Sequence, residues 1–257
     1  MIPIKVLVPS GVLGLGFDLE ALNNGVKNNP DIISIDGGST DSGPYSLGSG
    51  TSKYSRAAIK AEWKSLMIAR EKANVPLVIG SCGTCGTNGM VDWMENITIE
   101  LADELNQNIK IAKLYCQQEK KFIKKNLQLR KIFPLNPAPM LNSQLIEEMT
   151  NIVALAGAEQ IQECINTGAE IILAGRTTDT AIISALPLMK GANPGSSWHG
   201  AKVVECGALC STNPTSGVVM VEFDKTGFTV EPMSKNASCT SETVSYTHLT
   251  LPTTVGV

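Results

Sequence analysis

The stretch "PLVIGSCGTCGTNGMVDWMENITIELADEL", Pro76–Leu105, decides how the rest of the chain is read. A short apolar run, "PLVIG", ends in a loop with glycine at every third position: Gly80, Gly83, Gly86 and Gly89. A long helical pattern follows from Val91 to Leu105. A buried strand, a glycine loop and a covering helix make one β-α unit, and such units build parallel sheets.

Outward from that unit the rhythm repeats. Strand-like runs occur at 4–9 ("IKVLVP"), 32–36 ("IISID"), 109–115 ("IKIAKLY"), 151–155 ("NIVAL") and 170–175 ("EIILAG"). Helical stretches lie between them: "FDLEALNNGVK", "SKYSRAAIKAEWKSLMIAREKA", "QEKKFIKKNLQL" and "AEQIQECINTG". The expected fold class is α/β, a mainly parallel sheet with helices on both faces. A β/α-barrel shows the same alternation and is the alternative. After Gly175 the pattern changes. "DTAIISALPLMKG" and "SSWHGAKVVECGALCS" read as two helices, and "GVVMVEFDKTGFTVEPM" as a C-terminal β-hairpin turning at Asp224–Gly227. That hairpin begins a second subdomain or forms an antiparallel edge.

The bulk composition excludes several classes. The chain has 257 residues, 43 % hydrophobic and 18 % charged, with a net charge of −3. It is long enough to bury a substantial core. The acidic balance gives no footprint for nucleic acid, and no apolar run approaches the roughly 18 residues of a membrane span. "MIPIKVLVPSG" has no basic region followed by a long apolar segment, so no signal peptide is expected. Seven scattered cysteines read as reduced thiols, which points to the cytoplasm. "KKFIKKNLQLRK" holds six cations in twelve residues and reads as a solvated helix face.

From Val244 the text changes to "VSYTHLTLPTTVGV", which is similar to a translated sequencing-library adapter over Val244–Thr253. The expected division is therefore 1–243, an α/β region continuing beyond this sequence, and 244–257, a non-native tail. Discounting His248 of that tail leaves His199 as the histidine available to a site.

Ligands of open parallel sheets bind beyond the carboxyl ends of the strands. Four loops there share a vocabulary of Gly, Ser, Thr and Asp: "SGVLGLG", "GGSTDSGPYSLGSG", "SCGTCGTNG" and "RTTDTA". The first is G-x-x-G-x-G, the reverse order of a dinucleotide fingerprint, and no P-loop occurs, so neither NAD nor flavin is expected. Candidate catalytic groups are Asp36, Asp41, Arg176, Asp179 and Glu205. Carboxylates serve as acid, base or cation ligand, and an arginine grips a carboxylate or phosphate. Candidate binding groups are Ser10, Gly11, Gly37, Gly38, Ser39, Thr40, Gly80, Ser81, Gly83, Gly86, Thr178 and His199. Their hydroxyls and glycine-loop amides would cradle an oxyanion or phosphate. Each has a plainer reading: Asp and Ser cap turns, Thr178 caps a helix, Arg176 pairs with Asp179, and His199 is structural. Cys82 and Cys85 form a C-x-x-C, the spacing of a thiol oxidoreductase, but Gly83 and Thr84 lie where bulky residues or proline usually stand. A metal remains open; with histidine so scarce, a divalent ion on oxygen ligands is the type that would suit.

The segments "PSGVLGLGF", "IDGGSTDSGPYSLGSG", "LVIGSCGTCG", "AGRTTDTAIISALPLMKGANPG" and "HGAKVVECGAL", in this order, resemble the bacterial acyclic terpene utilisation (AtuA-type) family. The similarity spans about 3–234. The resemblance implies a role in the degradation of acyclic terpenes or branched acids, on a small carboxylate or acyl-CoA thioester. The reaction implied is carbon–carbon lysis, of a branched 3-hydroxyglutaryl-CoA type of substrate, or hydrolysis. The family's strand-end motifs fall on Asp36, Gly37, Ser39, Thr40, Asp41, Gly80, Ser81, Gly175, Arg176, Asp179 and Glu205. In that pattern the third loop is G-S-x-G-x-x-G without required cysteines. The alternative is a non-catalytic binding subunit of a larger catabolic enzyme, working as a homo-oligomer or beside a companion subunit.

Overall fold

The structure is a computed structural model and describes residues 3–38, 43–135, 137–138 and 140–245. Ser39, Thr40 and Asp41, and the tail from residue 246 with His248, lie outside the described residues.

The strands are β1 (Ile4–Val8), β2 (Ile32–Asp36), β3 (Leu77–Gly80), β4 (Ile111–Leu114), β5 (Ile171–Ala174), β6 (Val219–Phe223) and β7 (Phe228–Pro232). They form one sheet in the order β4-β5-β3-β2-β1-β6-β7. The first five are mutually parallel. β6 runs antiparallel to β1, and β7 to β6. β4 and β7 are edges, so the sheet is open and the barrel alternative falls. The hairpin extends this sheet along β1 rather than founding a second unit. Asp224 closes its turn by accepting from the amides of Thr226 and Gly227.

The helices are α1 (Leu19–Lys27), α2 (Tyr45–Ser49), α3 (Arg56–Ala73), α4 (Asn88–Leu105), α5 (Lys120–Gln128), α6 (Ser143–Glu148), α7 (Ala158–Asn166), α8 (Asp179–Met189), α9 (Pro194–Val204) and α10 (Ser241–Ser245). Local chemistry sets their starts: Asp18, Ser55, Thr178 and Asn193 accept first-turn amides of α1, α3, α8 and α9. Asn74 and Asn106 end α3 and α4 in the left-handed conformation.

Two cores flank the sheet, and strand alternation assigns each residue to one of them. Leu7, Ile33, Ile35, Leu77, Ile79 and Leu173 pack with α1, α3 and α4. Val6, Val8, Ile32, Val78 and Ile172 pack with α7, α8 and α9. Every residue of β2, β3 and β5 is buried, as a parallel sheet covered on both faces requires.

Three local expectations are corrected. The 151–155 run makes only an isolated bridge, Gln117 with Val153, because it crosses the sheet's end instead of joining an edge. The segment 109–115 shortens to β4. The helix drawn through 196–211 stops at Val204, and a 3-10 turn, Gly207–Cys210, follows. Gly207 breaks it: φ is +60°, and a Cβ there would lie 2.4 Å from the Gly217 carbonyl oxygen.

Trp63 of α3 and Thr98 of α4 are fully buried, and the indole N–H donates to Thr98 Oγ1 at 2.9 Å. Replacing Thr98 by Val strands that donor and should cost about 1–3 kcal/mol in urea unfolding. Thr98→Ser, which keeps the hydroxyl, should lose clearly less.

Candidate active site

The chain crosses the sheet in two senses. The helices after β1, β2 and β3 lie on one face, whereas α7, α8 and α9 lie on the other. The loops leaving β3 and its neighbour β5 therefore diverge to opposite faces. Such a switch point opens a crevice at the carboxyl ends of the strands.

The loops at this end are tied together by backbone. Leu13 N–H donates to Asp36 O (2.8 Å), Gly37 N–H to Gly80 O (2.7 Å), and Thr84 N–H to Gly37 O (3.0 Å). Ser81 and Cys82 donate to Gly175 O and Ala174 O, and Gly86 to Cys82 O. This changes the reading of the glycine loop. The amides offered to an oxyanion at Ser81 and Gly86 are taken up by protein carbonyls. Gly37 is required by proximity, since a Cβ there would lie 2.5 Å from the Ser81 carbonyl oxygen. Gly80, Gly83 and Gly86 pack against Thr177, Met90 and the Arg176 backbone. Ser81 is buried, its hydroxyl donating to Thr177 O at 3.3 Å.

Arg176 holds the same cluster from the β5 side. Its Nη1 donates to Gly38 O (2.9 Å) and Thr84 O (3.4 Å), so the guanidinium clamps two loops instead of projecting into open space. Thr178 is the N-cap of α8, accepting from Ala181 N–H at 3.1 Å. His199 is exposed on α9 with its ring edge-on to Phe228, at 5.2 Å between centroids, and does not reach the crevice.

Asp36 is the electrostatic centre. It is 3 % exposed; Oδ2 accepts from Gly38 N–H (2.9 Å), and Oδ1 has no hydrogen-bond partner. Burial first, and then the charge of Asp179, push its carboxyl well above the usual carboxylate range. The Gly38 amide, Arg176 and Ser81 pull the other way without prevailing. Burial therefore favours the neutral form of this carboxyl over the charged one.

A cavity of about 580 Å³ opens here, a size that suits a small molecule. Its lining includes Ser10, Gly11, Asp36, Gly38, Asp179 and Glu205 from the sequence-derived candidates. Asp179 is the first residue of α8, where the helix dipole favours a negative charge. Glu205 follows α9 and pairs with Lys202, whose ammonium it holds in the charged form. Gly37, Gly80, Ser81, Gly83, Gly86, Arg176, Thr178 and His199 are not among the lining residues.

Sequence reasoning missed the apolar wall of Val12, Leu15, Tyr54, Leu209 and Pro214, together with Thr84 and Lys53. Leu15 and Leu209 are 65 % and 48 % exposed. Val12, Leu15 and Thr84 lie in the strand-end loops, which was the available signal; Leu209 and Pro214 follow α9 and carried none. Glu62 of α3 fixes that wall by accepting from Gly14 N–H at 2.7 Å. Lys53 is the only cation among the described lining residues.

The thiol pair does not fit a redox centre. Cys82 is fully buried in the core, and burial pushes its thiol well up. Cys85 is also buried, beside Thr87 Oγ1 at 3.5 Å. A reactive thiol needs exposure and a lowered pKa. Among the described residues no group of three or more His, Cys, Asp or Glu converges as a metal site.

The architecture and cavity define an open α/β protein with a carboxyl-bearing pocket at the carboxyl ends of its strands. The family model "Acyclic terpene utilisation family protein AtuA" matches residues 46–245, and the chain belongs to that family. No curated protein and no solved structure matches it. The matched span begins after β2, so Ser10 and Asp36 lie outside it, while Asp179 and Glu205 lie within it.

A carboxyl whose pKa is raised on folding binds its proton more tightly in the native state. Its destabilising effect is absent below the ordinary value of 3.8 and grows as pH rises toward the folded pKa. Asp36→Asn should therefore gain stability relative to wild type between about pH 4 and neutrality. Paired urea melts across that range check this; a constant difference at every pH would contradict it.

Proposed function

We propose that this chain is an enzyme acting on a small carboxylate or acyl-CoA thioester of branched-chain catabolism, with carbon–carbon lysis as its reaction. One observation carries the reading: Asp36, a buried carboxyl whose neutral form is favoured by its burial, borders the same cavity as Asp179, which sits at a helix N-terminus. Burial favours the neutral form of Asp36 while the helix N-terminus favours a negative charge on Asp179, and unlike surroundings of this kind give an acid and a base from one residue type.

The chemistry follows from those states. Asp179 takes the proton of a 3-hydroxyl as the C2–C3 bond breaks. The bonding pair moves onto the thioester as an enolate, and Asp36 delivers its proton to the enolate carbon. Val12, Leu15, Tyr54, Leu209 and Pro214 supply an apolar wall for a branched acyl chain, and Lys53 marks the side for a terminal carboxylate or phosphate. The cavity volume suits the acyl portion, with the rest of a coenzyme A thioester lying outside it. Arg176 contributes by holding the loops in register.

The test is lysis of 3-alkyl-3-hydroxyglutaryl-CoA thioesters, followed by release of the thioester product. Asp36→Asn and Asp179→Asn should each lower kcat by about 10²-fold or more, the usual scale for removing a general acid or base. Full turnover by Asp36→Asn would remove the acid from the mechanism.

A further inference from the structure

Behind the cavity wall the fold brings together two thiols that stand 29 residues apart in the chain. Cys210 closes the 3-10 turn Gly207–Cys210, and Cys239 lies on the segment leading into α10. Their sulfurs are 3.9 Å apart. The backbone on both sides is pinned. Thr212 N–H donates to Ser238 O (3.0 Å), Ser238 N–H to Thr212 Oγ1 (3.1 Å), and Thr243 Oγ1 to Cys210 O (2.8 Å). Asn213 Nδ2 adds a contact to Ser234 Oγ at 3.3 Å.

We propose that Cys210 and Cys239 are a dithiol site that closes reversibly to a disulfide, stapling the C-terminal segment to the wall of the cavity. A disulfide needs the sulfurs at about 2.05 Å, so the side chains must approach while the pinned backbone stays in place. The roles differ by access. Cys210 is fully buried, whereas Cys239 is half-buried and can meet a small disulfide. The hydrogen bond between the two sulfurs also lowers the Cys239 thiol.

With glutathione disulfide as oxidant, the Cys239 thiolate attacks one glutathione sulfur, and the other glutathione leaves as a thiolate. Cys210 then gives up its proton and attacks the Cys239 sulfur of the mixed disulfide, releasing the second glutathione. The two protein thiols are oxidised, and one glutathione disulfide is reduced to two thiols. The bridge encloses the β6–β7 hairpin and fixes the turn that carries Leu209, a lining residue of the cavity.

The experiment uses the full chain, reduced and then equilibrated with glutathione disulfide. Acid quenching, alkylation and peptide mapping then locate every bridge and adduct. The expected product is a Cys210–Cys239 bridge that raises the Tm and is reversed by dithiothreitol. Cys210→Ser should stop at a glutathione adduct on Cys239, and Cys239→Ser should form no bridge. Glutathione persisting on wild-type Cys239, no modification at either thiol, or a bridge to another cysteine would overturn the proposal. If Cys210→Ser does not fold, mapping of the wild type decides alone.

Discussion

A carboxyl group buried at the end of β2 constrains everything around it. An unpaired charge inside a protein is too costly to keep, so burial favours the neutral form of Asp36, which accepts one amide, that of Gly38. The amide reaches it only if the chain turns immediately after the strand. The turn presses Gly37 against the Ser81 carbonyl, where no side chain fits. The Gly38 carbonyl, turned outward by the same geometry, is met by Arg176 from β5. One buried acid thus ties the ends of β2, β3 and β5 into a single piece.

That piece is useful because of where the crossover sense changes. β2 and β3 send their helices to one face and β5 sends its helix to the other; the β3 and β5 turns stay joined by backbone hydrogen bonds, and the gap opens beside them, over the β1 and β2 loops. The gap is closed on the far side by residues that follow α9. The 3-10 turn can approach Ser10 and Gly11 because Gly207 takes a left-handed conformation there. The cavity is therefore a joint product of the parallel units and the later α9–β6 segment. The Cys210–Cys239 pair belongs to that later segment, so chemistry at those sulfurs would act on the wall opposite Asp36.

The glycine loop after β3 shows how a suggestive sequence can have a mechanical role. Its amides satisfy the carbonyls of neighbouring strand ends, as buried backbone groups must. What faces the cavity from that loop is the side of Thr84, while the cysteines turn inward. Polarity at the site comes from carboxyl side chains, and apolarity comes from a loop that Glu62 holds in place.

The sequence by itself determined the α/β class, the hairpin, most strands and long helices, and the end of the sheet at which the cavity opens. Those properties are periodic or local: strand alternation, helix caps and turn residues act within a few positions. It also singled out Asp36, Asp179 and Glu205, because a carboxyl at an apolar strand end or beside a helix boundary stands out from its neighbours. Only the tertiary structure decided that the sheet is open, that 151–155 is not a strand, and that Arg176 grips backbone. It alone decided that His199 faces Phe228 and that Val12, Leu15, Tyr54 and Leu209 meet in one wall. These are contacts between residues far apart in the chain. They follow from which face each crossover takes, and no local pattern encodes that choice.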